Sequence, residues 1–145
     1  MLKGIPPILS PDLLHALRAM GHGDTISIVD GNYPADNAGR RVVRADAAGS
    51  VELLDAILAV MPLDDFVAVN AIIPEVKGDP AHDEPIFAEF RAVLDRREGA
   101  RVRLVKLPPA EFYPAANAAY VMVATGERRL YGNIVLKKGV IRPDE

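Results

Sequence analysis

Apolar residues recur three and four positions apart in several segments of the chain, the spacing of helices that bury one face. Ser10 and Pro11 precede one such segment, which predicts a helix with a serine N-cap and a proline in its first turn. The other helices are predicted from Ser50 as an N-cap, over 83–98, and over a shorter segment at 108–119.

Between these segments, short runs alternate polar with apolar residues or are continuously apolar, which predicts strands. The predicted strands cover 25–29, 42–43, 66–73, 102–105, 120–124 and 130–136. The turn between the last two contains Gly126, so we expect them to pair as a hairpin. The chain is therefore predicted to be α/β: a single three-layer α/β/α domain over 1–145, with a mixed sheet and a C-terminal antiparallel hairpin.

The composition is apolar for a chain of this length. A length of 145 residues suits one domain. Half of the residues are hydrophobic and the mean hydropathy is +0.10, which is rather apolar for a small monomer. We therefore expect some apolar surface to lie in contacts between subunits.

Charge and cysteine content exclude several classes of function. The net charge is −3, and the short basic pairs are interleaved with acids, which argues against a nucleic-acid partner. There is no cysteine, so neither disulfides nor thiol chemistry are available. No apolar run approaches the ~18 residues of a membrane span, and the N-terminus does not resemble a signal peptide. We expect a cytoplasmic protein.

The block Gly21-His22-Gly23-Asp24 places one imidazole between two glycines, directly after a predicted helix. Because its neighbours have no side chains, the ring can project from the backbone. Histidine titrates near neutral pH and can give or take a proton, which suits general acid–base catalysis. The same pattern is typical of a helix-ending turn with a solvated histidine, and both interpretations stay open.

Two further blocks hold polar groups suited to a polyhydroxy ligand. Asp30 follows the strand predicted over 25–29, and ligands bind at the carboxyl ends of strands in open α/β sheets. Tyr131 and Asn133 flank Gly132 inside the last predicted strand and would share one face. Their side chains both donate and accept hydrogen bonds. An ordinary turn at Asp30 and a solvated edge strand at 131–133 are the alternatives.

Other classes of site have no matching motif. The spacing of His22, Asp24, Asp30 and His82 fits no metal site, so we expect no metal. The chain contains neither a G-x-G-x-x-G nor a G-x-x-x-x-G-K-[ST] phosphate loop, and no G-x-S-x-G nucleophile elbow. We therefore expect no cofactor.

Taken in order, these motifs resemble the family of L-fucose mutarotases and D-ribose pyranases almost from end to end. Gly-His-Gly-Asp at 21–24 and Tyr-Gly-Asn at 131–133 are more similar to the fucose branch than to the ribose branch, which usually has Gly-His-Thr-Asp and Tyr-Ala-Asn. Further matching pieces lie at 2–6, 9–14, 44–46, 62–64, 112–113, 125–127 and 136–139.

The resemblance implies a cofactor-free isomerase that interconverts the anomers of a free monosaccharide, L-fucose or a related sugar. It assigns His22 as the acid/base and Asp30, Tyr131 and Asn133 as sugar contacts. It also implies a ring-shaped homo-oligomer, often a decamer, with sites where subunits meet. One position departs from the family: Pro109 stands where the fucose branch carries a sugar-binding arginine and the ribose branch a histidine.

Two other functions stay open on the sequence. The first is a non-catalytic monosaccharide-binding or transport-associated protein of the same fold, which Pro109 favours because its side chain has no hydrogen-bond donor. The second is an isomerase or epimerase of a sugar phosphate, which the absence of a phosphate-binding loop disfavours.

Overall fold

Six strands form one sheet in a computed structural model that describes residues 1–145. The helices are α1 (Pro11–Ala19), α2 (Ala35–Ala38), α3 (Ser50–Leu58), α4 (Pro85–Glu98) and α5 (Pro109–Asn117). The strands are β1 (Thr25–Val29), β2 (Val42–Ala45), β3 (Ala71–Pro74), β4 (Leu104–Leu107), β5 (Val121–Thr125) and β6 (Ile134–Lys137).

The sheet is mixed, with the strand order β2-β5-β1-β6-β3-β4. Strands β2, β5 and β1 run parallel to one another, and β3 runs parallel to β4. Only β6 is antiparallel, and it pairs with β1 on one side and β3 on the other. The carboxyl end of β1 therefore lies beside the start of β6, which brings Asp30 next to the residues that precede Ile134.

Both faces of the sheet are covered, as the α/β/α prediction requires. The larger core packs α1, α3 and α4 against alternate residues of the central strands, such as Ile26 and Ile28. On the opposite face, α5 packs through Phe112 and Ala116 against Val135. Ser27 lies in β1 between core residues, and its hydroxyl is buried without a hydrogen-bond partner.

The predicted C-terminal hairpin is wrong. Strands β5 and β6 do not pair, because β1 lies between them, parallel to β5 and antiparallel to β6. The last strand also starts at Ile134 rather than at residue 130, so the connection is longer than a hairpin turn. Alternation along the chain predicts that a strand exists, but it does not say which strand becomes its neighbour.

Two local predictions also need correction. The strand predicted over 66–73 forms only from Ala71, as β3 (Ala71–Pro74), and Phe66 is 66% exposed. The backbone turns there because the Asp64 carboxylate accepts the Phe66 N–H at 3.0 Å. Ser50 is the first residue of α3 rather than its N-cap, which is Gly49. Its hydroxyl donates instead to Glu127 Oε2 at 3.4 Å.

The helix starts were otherwise well predicted. Ser10 is the N-cap of α1, and its hydroxyl oxygen accepts the Leu13 N–H at 3.2 Å. Helix α4 begins at Pro85 within the predicted range, and α5 begins at Pro109 despite Pro114 in its interior. Helix α2 was not predicted, since only four residues at 35–38 form it.

Candidate functional site

Asp30 and Asn133 form a reciprocal pair at the carboxyl end of β1. The Asp30 backbone N–H donates to Asn133 Oδ1 at 2.7 Å, and Asn133 Nδ2 donates to Asp30 Oδ2 at 2.9 Å. Both residues are buried, with 6% and 8% of their surface exposed. The structure thus brings together two residues that are 103 positions apart in sequence.

The Asp30 carboxylate keeps acceptor capacity after these contacts. Its Oδ1 accepts the Asn32 backbone N–H at 2.9 Å, which closes the turn that follows β1. An ionised carboxylate has about four acceptor positions, and the protein uses only part of them. The Asn133 carboxamide, by contrast, uses its oxygen and one of its two N–H groups in hydrogen bonds to Asp30. The pair can therefore present a fixed carboxylate to a hydroxyl-rich ligand.

Tyr131 lies outside the sheet, which corrects the prediction that it stands within a strand. It adopts a left-handed backbone with φ 60, the sole residue other than glycine with positive φ. Its phenol oxygen accepts the Lys77 backbone N–H at 3.1 Å. Gly132 is required next to it, because a Cβ there would lie 2.7 Å from Glu127 Cγ. Tyr131 and Asn133 are therefore placed by a bent loop, not by strand alternation.

Glu127 organises this loop and was missed as a functional candidate. Its Oε1 accepts the Arg129 N–H and Nε at 3.0 and 2.9 Å, and its Oε2 accepts from Arg129 and Ser50. The hydrogen bonds from Arg129 hold the pKa of Glu127 at about 2, although partial burial opposes that shift. The sequence signal was the position of this acid in the Thr125-Gly126-Glu127 motif, but its burial, which requires a paired partner, is visible only in the structure.

A cavity of about 520 Å³ opens beside this loop. Such a volume suits a small-molecule site. Its lining residues come from the end of β3, the start of α5 and the loop before β6: Pro74, Lys77, Pro108, Pro109, Ala110, Phe112, Tyr113, Tyr131 and Asn133. Apolar walls with a few polar groups are typical of sites that orient a ligand by hydrogen bonds.

Two stacked tyrosines lie beside this cavity: Tyr113 lines it, whereas Tyr33 and Asp30 line a separate pocket of about 290 Å³. The rings of Tyr33 and Tyr113 stack with centroids 5.3 Å apart, and Tyr33 Oη donates to Asn117 Oδ1 at 2.5 Å. Burial raises the pKa of Tyr33 to about 12, so its phenol stays protonated. Tyr113 remains 47% exposed and faces the cavity. Tyr113 was not among the predicted site residues.

His22 lies at the opposite end of the sheet from the other three predicted site residues. It precedes β1 whereas Asp30 follows it, and a five-residue strand spans about 16 Å. The Gly23 N–H donates to the Lys138 carbonyl oxygen at 2.9 Å. Because Lys138 directly follows β6, His22 lies beside the carboxyl end of β6, whereas Asn133 lies at the start of that strand. Within one chain, the structure does not bring His22 to the cavity.

Asp64 is the partner of His22, and it was not predicted. His22 Nε2 lies 3.0 Å from Asp64 Oδ1, and the carboxylate side chain is 2% exposed against 46% for the imidazole. The Phe66 ring lies against the imidazole, with centroids 5.5 Å apart. The ring is therefore held on one side and open to solvent on the other. Asp30 makes no contact with this imidazole within one chain, because the two residues lie at opposite ends of β1.

The chain matches the RbsD / FucU transport protein family over residues 3–141. The chain belongs to this family. Human fucose mutarotase is 44% identical, over 97% of this chain and 94% of its own. The fucose mutarotase of Streptococcus pneumoniae, solved in complex with L-fucose, superposes with a TM-score of 0.90 at 40% identity, covering 97% and 100% of the two chains.

Another solved structure, protein Atu2016, is described as a putative sugar binding protein. It superposes with a TM-score of 0.91 at 41% identity, covering 98% of this chain and 97% of its own. These similarities confirm the predicted family and the mixed α/β fold.

No group of three or more histidine, aspartate or glutamate side chains is arranged to hold a metal ion in this member of the RbsD / FucU family. None of its helices is both long enough and apolar enough to span a bilayer.

Proposed function

We propose that the protein is a mutarotase that interconverts the anomers of a free monosaccharide, L-fucose or a closely related sugar. The observation that supports this most is the full-length similarity to a fucose mutarotase solved with L-fucose, at 40% identity. Human fucose mutarotase is similar over the same length, which supports an isomerase. The substrate cavity would be the one beside Tyr131 and Asn133, within the single domain 1–145.

In this proposal Tyr131 and Asn133 bind the sugar from the cavity wall, and Asp30, which is bonded to Asn133 and lines the neighbouring pocket, binds it at the edge of the cavity. The Asp30 carboxylate accepts sugar hydroxyls through the acceptor positions that Asn32 and Asn133 leave free. The phenol of Tyr131 already accepts one N–H and can donate its proton to a sugar oxygen. Asn133 keeps one N–H beyond the proton given to Asp30. These groups would fix the orientation of the ring.

His22 would supply the proton transfers. Ring opening of a hemiacetal removes a proton from the anomeric hydroxyl and delivers one to the ring oxygen, and closure reverses both. A carboxylate only accepts hydrogen bonds, so Asp64 favours a proton on His22 Nε2 and leaves Nδ1 as the working nitrogen. Because mutarotation also proceeds without a catalyst, acid–base help and positioning are sufficient, and the reaction needs no cofactor.

His22 and the cavity lie at opposite ends of β1, so we further propose that a complete site forms between two copies of the chain. His22 of one copy would reach the cavity of the next. A head-to-tail contact of this kind closes into a ring when the rotation between neighbours completes a full turn, in keeping with the proposed homo-oligomer such as a decamer. The proposed location of this assembly is the cytoplasm.

Anomer-exchange NMR tests the activity directly. Exchange of L-fucose should accelerate on adding protein, with D-ribose, D-galactose and D-glucose as the comparison panel and with chelator present throughout. His22→Ala should keep its fold and lose about 10²–10⁴-fold in rate, the usual contribution of general acid–base catalysis. Unchanged exchange with all four sugars at high protein concentration would overturn the proposal.

Subunit complementation tests the shared site. His22→Ala and Asp30→Ala should each be inactive alone, whereas co-expression of the two should produce mixed oligomers in which some sites combine an intact His22 with an intact Asp30. Activity should therefore reappear in the mixture. Light scattering should give a mass well above that of a dimer of the 15.6 kDa chain. A monomer that is active would refute the shared site.

A non-catalytic monosaccharide-binding or transport-associated protein is the second candidate. Pro109 favours it, since it lines the cavity and offers no donor to a sugar. A pure binder would shift sugar resonances on titration without speeding anomer exchange, so the same NMR samples distinguish the two functions.

A further inference from the structure

One charged side chain lines the cavity beside Tyr131. Of the nine lining residues, four are proline or alanine, four are aromatic or amide side chains, and Lys77 is the remaining one. Its ammonium takes part in none of the chain's ion pairs or side-chain hydrogen bonds, and the residue is exposed at the cavity rim. Three donor protons of Lys77 are thus free at the edge of the site.

The backbone fixes the position of Lys77. The Asp79 N–H donates to Val76 O at 3.1 Å, which closes a four-residue turn around Lys77 and Gly78. Gly78 has φ 82, the conformation that a type II turn requires at its third position. The Lys77 N–H donates to the Tyr131 phenol oxygen, so this turn and the loop before β6 are joined. Lys77 is therefore carried by a defined turn that touches a proposed sugar-binding residue.

The other cations near this region cannot serve the cavity. Lys106 Nζ is occupied by Pro80 O, His82 O and the Asp83 carboxylate at 2.8–3.0 Å. Arg103 is not among the lining residues. Pro109 occupies the start of α5 on the cavity wall and has no donor at all.

We infer that Lys77 is a specificity-determining residue whose ammonium donates hydrogen bonds to hydroxyl groups of a neutral monosaccharide in the cavity. This inference rests on the proposed function for the location of the sugar. In the proposed function Asp30 supplies acceptors from the neighbouring pocket and Lys77 supplies donors at the cavity rim, so the two groups would bind different hydroxyls of the sugar. Lys77 touches neither His22 nor Asp64 and takes no part in proton transfer.

The test compares Lys77→Met with Lys77→Arg and with Lys3→Met as the matched control outside the cavity. Methionine keeps the length of the side chain and removes the charge, and all variants keep the backbone N–H that bonds Tyr131. L-Fucose, D-galactose and D-ribose are titrated by NMR, and exchange kinetics are measured on the same samples. Hydrogen bonds to charged groups predict a roughly tenfold or greater rise in Kd for Lys77→Met.

Lys77→Arg should retain most of the affinity, and Lys3→Met should match wild type. The KM for exchange should rise in Lys77→Met with kcat unchanged, since the residue binds without moving a proton. Pro109→Arg added to Lys77→Met should restore affinity, because it returns a donor to the same cavity.

Equal Kd values for Lys77→Met and Lys3→Met would overturn the inference, as would a fall in kcat with unchanged KM. The titration reads binding without turnover. If the wild-type protein binds L-fucose without speeding anomer exchange, the mutarotase proposal is refuted. The inference on Lys77 is still supported in that case if Lys77→Met raises the Kd for L-fucose. A wild type that binds none of the three sugars would overturn both.

Discussion

Replacing Glu127 by glutamine should destabilise the protein, because it removes the charge on which the loop before β6 depends. Glu127 is 6% exposed and accepts four hydrogen bonds, three of them from Arg129. Its pKa falls from 4.5 to about 2 on folding, chiefly because of the Arg129 guanidinium. At 1.36 kcal/mol per pKa unit the ionised form contributes about 3 kcal/mol. Since Arg129 is 45% exposed, solvent screening reduces this to about 2 kcal/mol.

Glu89→Gln is the matched control. Glu89 contacts the same guanidinium, with Oε1 2.6 Å from Arg129 Nη1, but its side chain is 47% exposed. Exposed ion pairs contribute about 0.2–1 kcal/mol, so Glu89→Gln should cost at most about half of the free energy that Glu127→Gln costs. Because the chain has no tryptophan, urea unfolding is followed by circular dichroism or tyrosine fluorescence.

The pH dependence gives a second, independent readout. A lowered pKa in the folded state means that the contribution of Glu127 is fully present above pH 4.5 and is lost as the pH falls towards 2. The difference in the free energy of unfolding between wild type and Glu127→Gln should therefore be constant from pH 7 to about 5.5 and shrink below pH 4.5. If Glu127→Gln and Glu89→Gln lower the free energy of unfolding equally at pH 7, the reasoning is refuted. It is also refuted if the difference in that free energy between wild type and Glu127→Gln does not change between pH 5 and 3.

Three further outcomes are expected. Asp64→Asn should lower the rate of anomer exchange and keep affinity for sugar, because it removes the carboxylate that holds His22; unchanged exchange would separate Asp64 from the mechanism. Pro109→Arg should tighten L-fucose binding by about 10–150-fold, checked by titration at fixed salt and pH, since it adds a charged donor to the cavity wall. Ser27→Ala should raise the free energy of unfolding by about 1 kcal/mol, because it removes a buried hydroxyl without a partner; a less stable variant in urea unfolding would reveal a partner for that hydroxyl.

The sequence predicted the helices well because helical periodicity is a local property. Ser10 and Pro85 mark helix starts within a few residues of the apolar positions that they serve. The order of the strands depends on contacts between distant segments, and there the sequence predictions failed. Nothing near residues 120–136 indicates that β1, about a hundred positions earlier, separates the last two strands.

The same division holds for the candidate site. Asp30 was identified because it follows a recognisable strand, and His22 because glycines flank it. Tyr131 was found by its motif but placed in a strand, since a left-handed tyrosine has no signal in the alternation of residues. Asp64 was quoted only as part of a matching motif. Its pairing with His22 joins positions 42 apart, and the visible clue was an acid directly after Pro62 and Leu63 in an apolar stretch.

The antiparallel β6 has a consequence for how the chain folds. Strands β2, β5 and β1 form one parallel group and β3 with β4 another, and β6 is the only strand that bonds to both. Since it is also the last strand in chain order, the two groups cannot be joined until residues 134–137 have been synthesised. We therefore expect nascent chains that lack β6 to hold two separate sheet fragments with unpaired edges, which are templates for association with other chains. Dependence on chaperones during synthesis should be greatest just before this strand emerges.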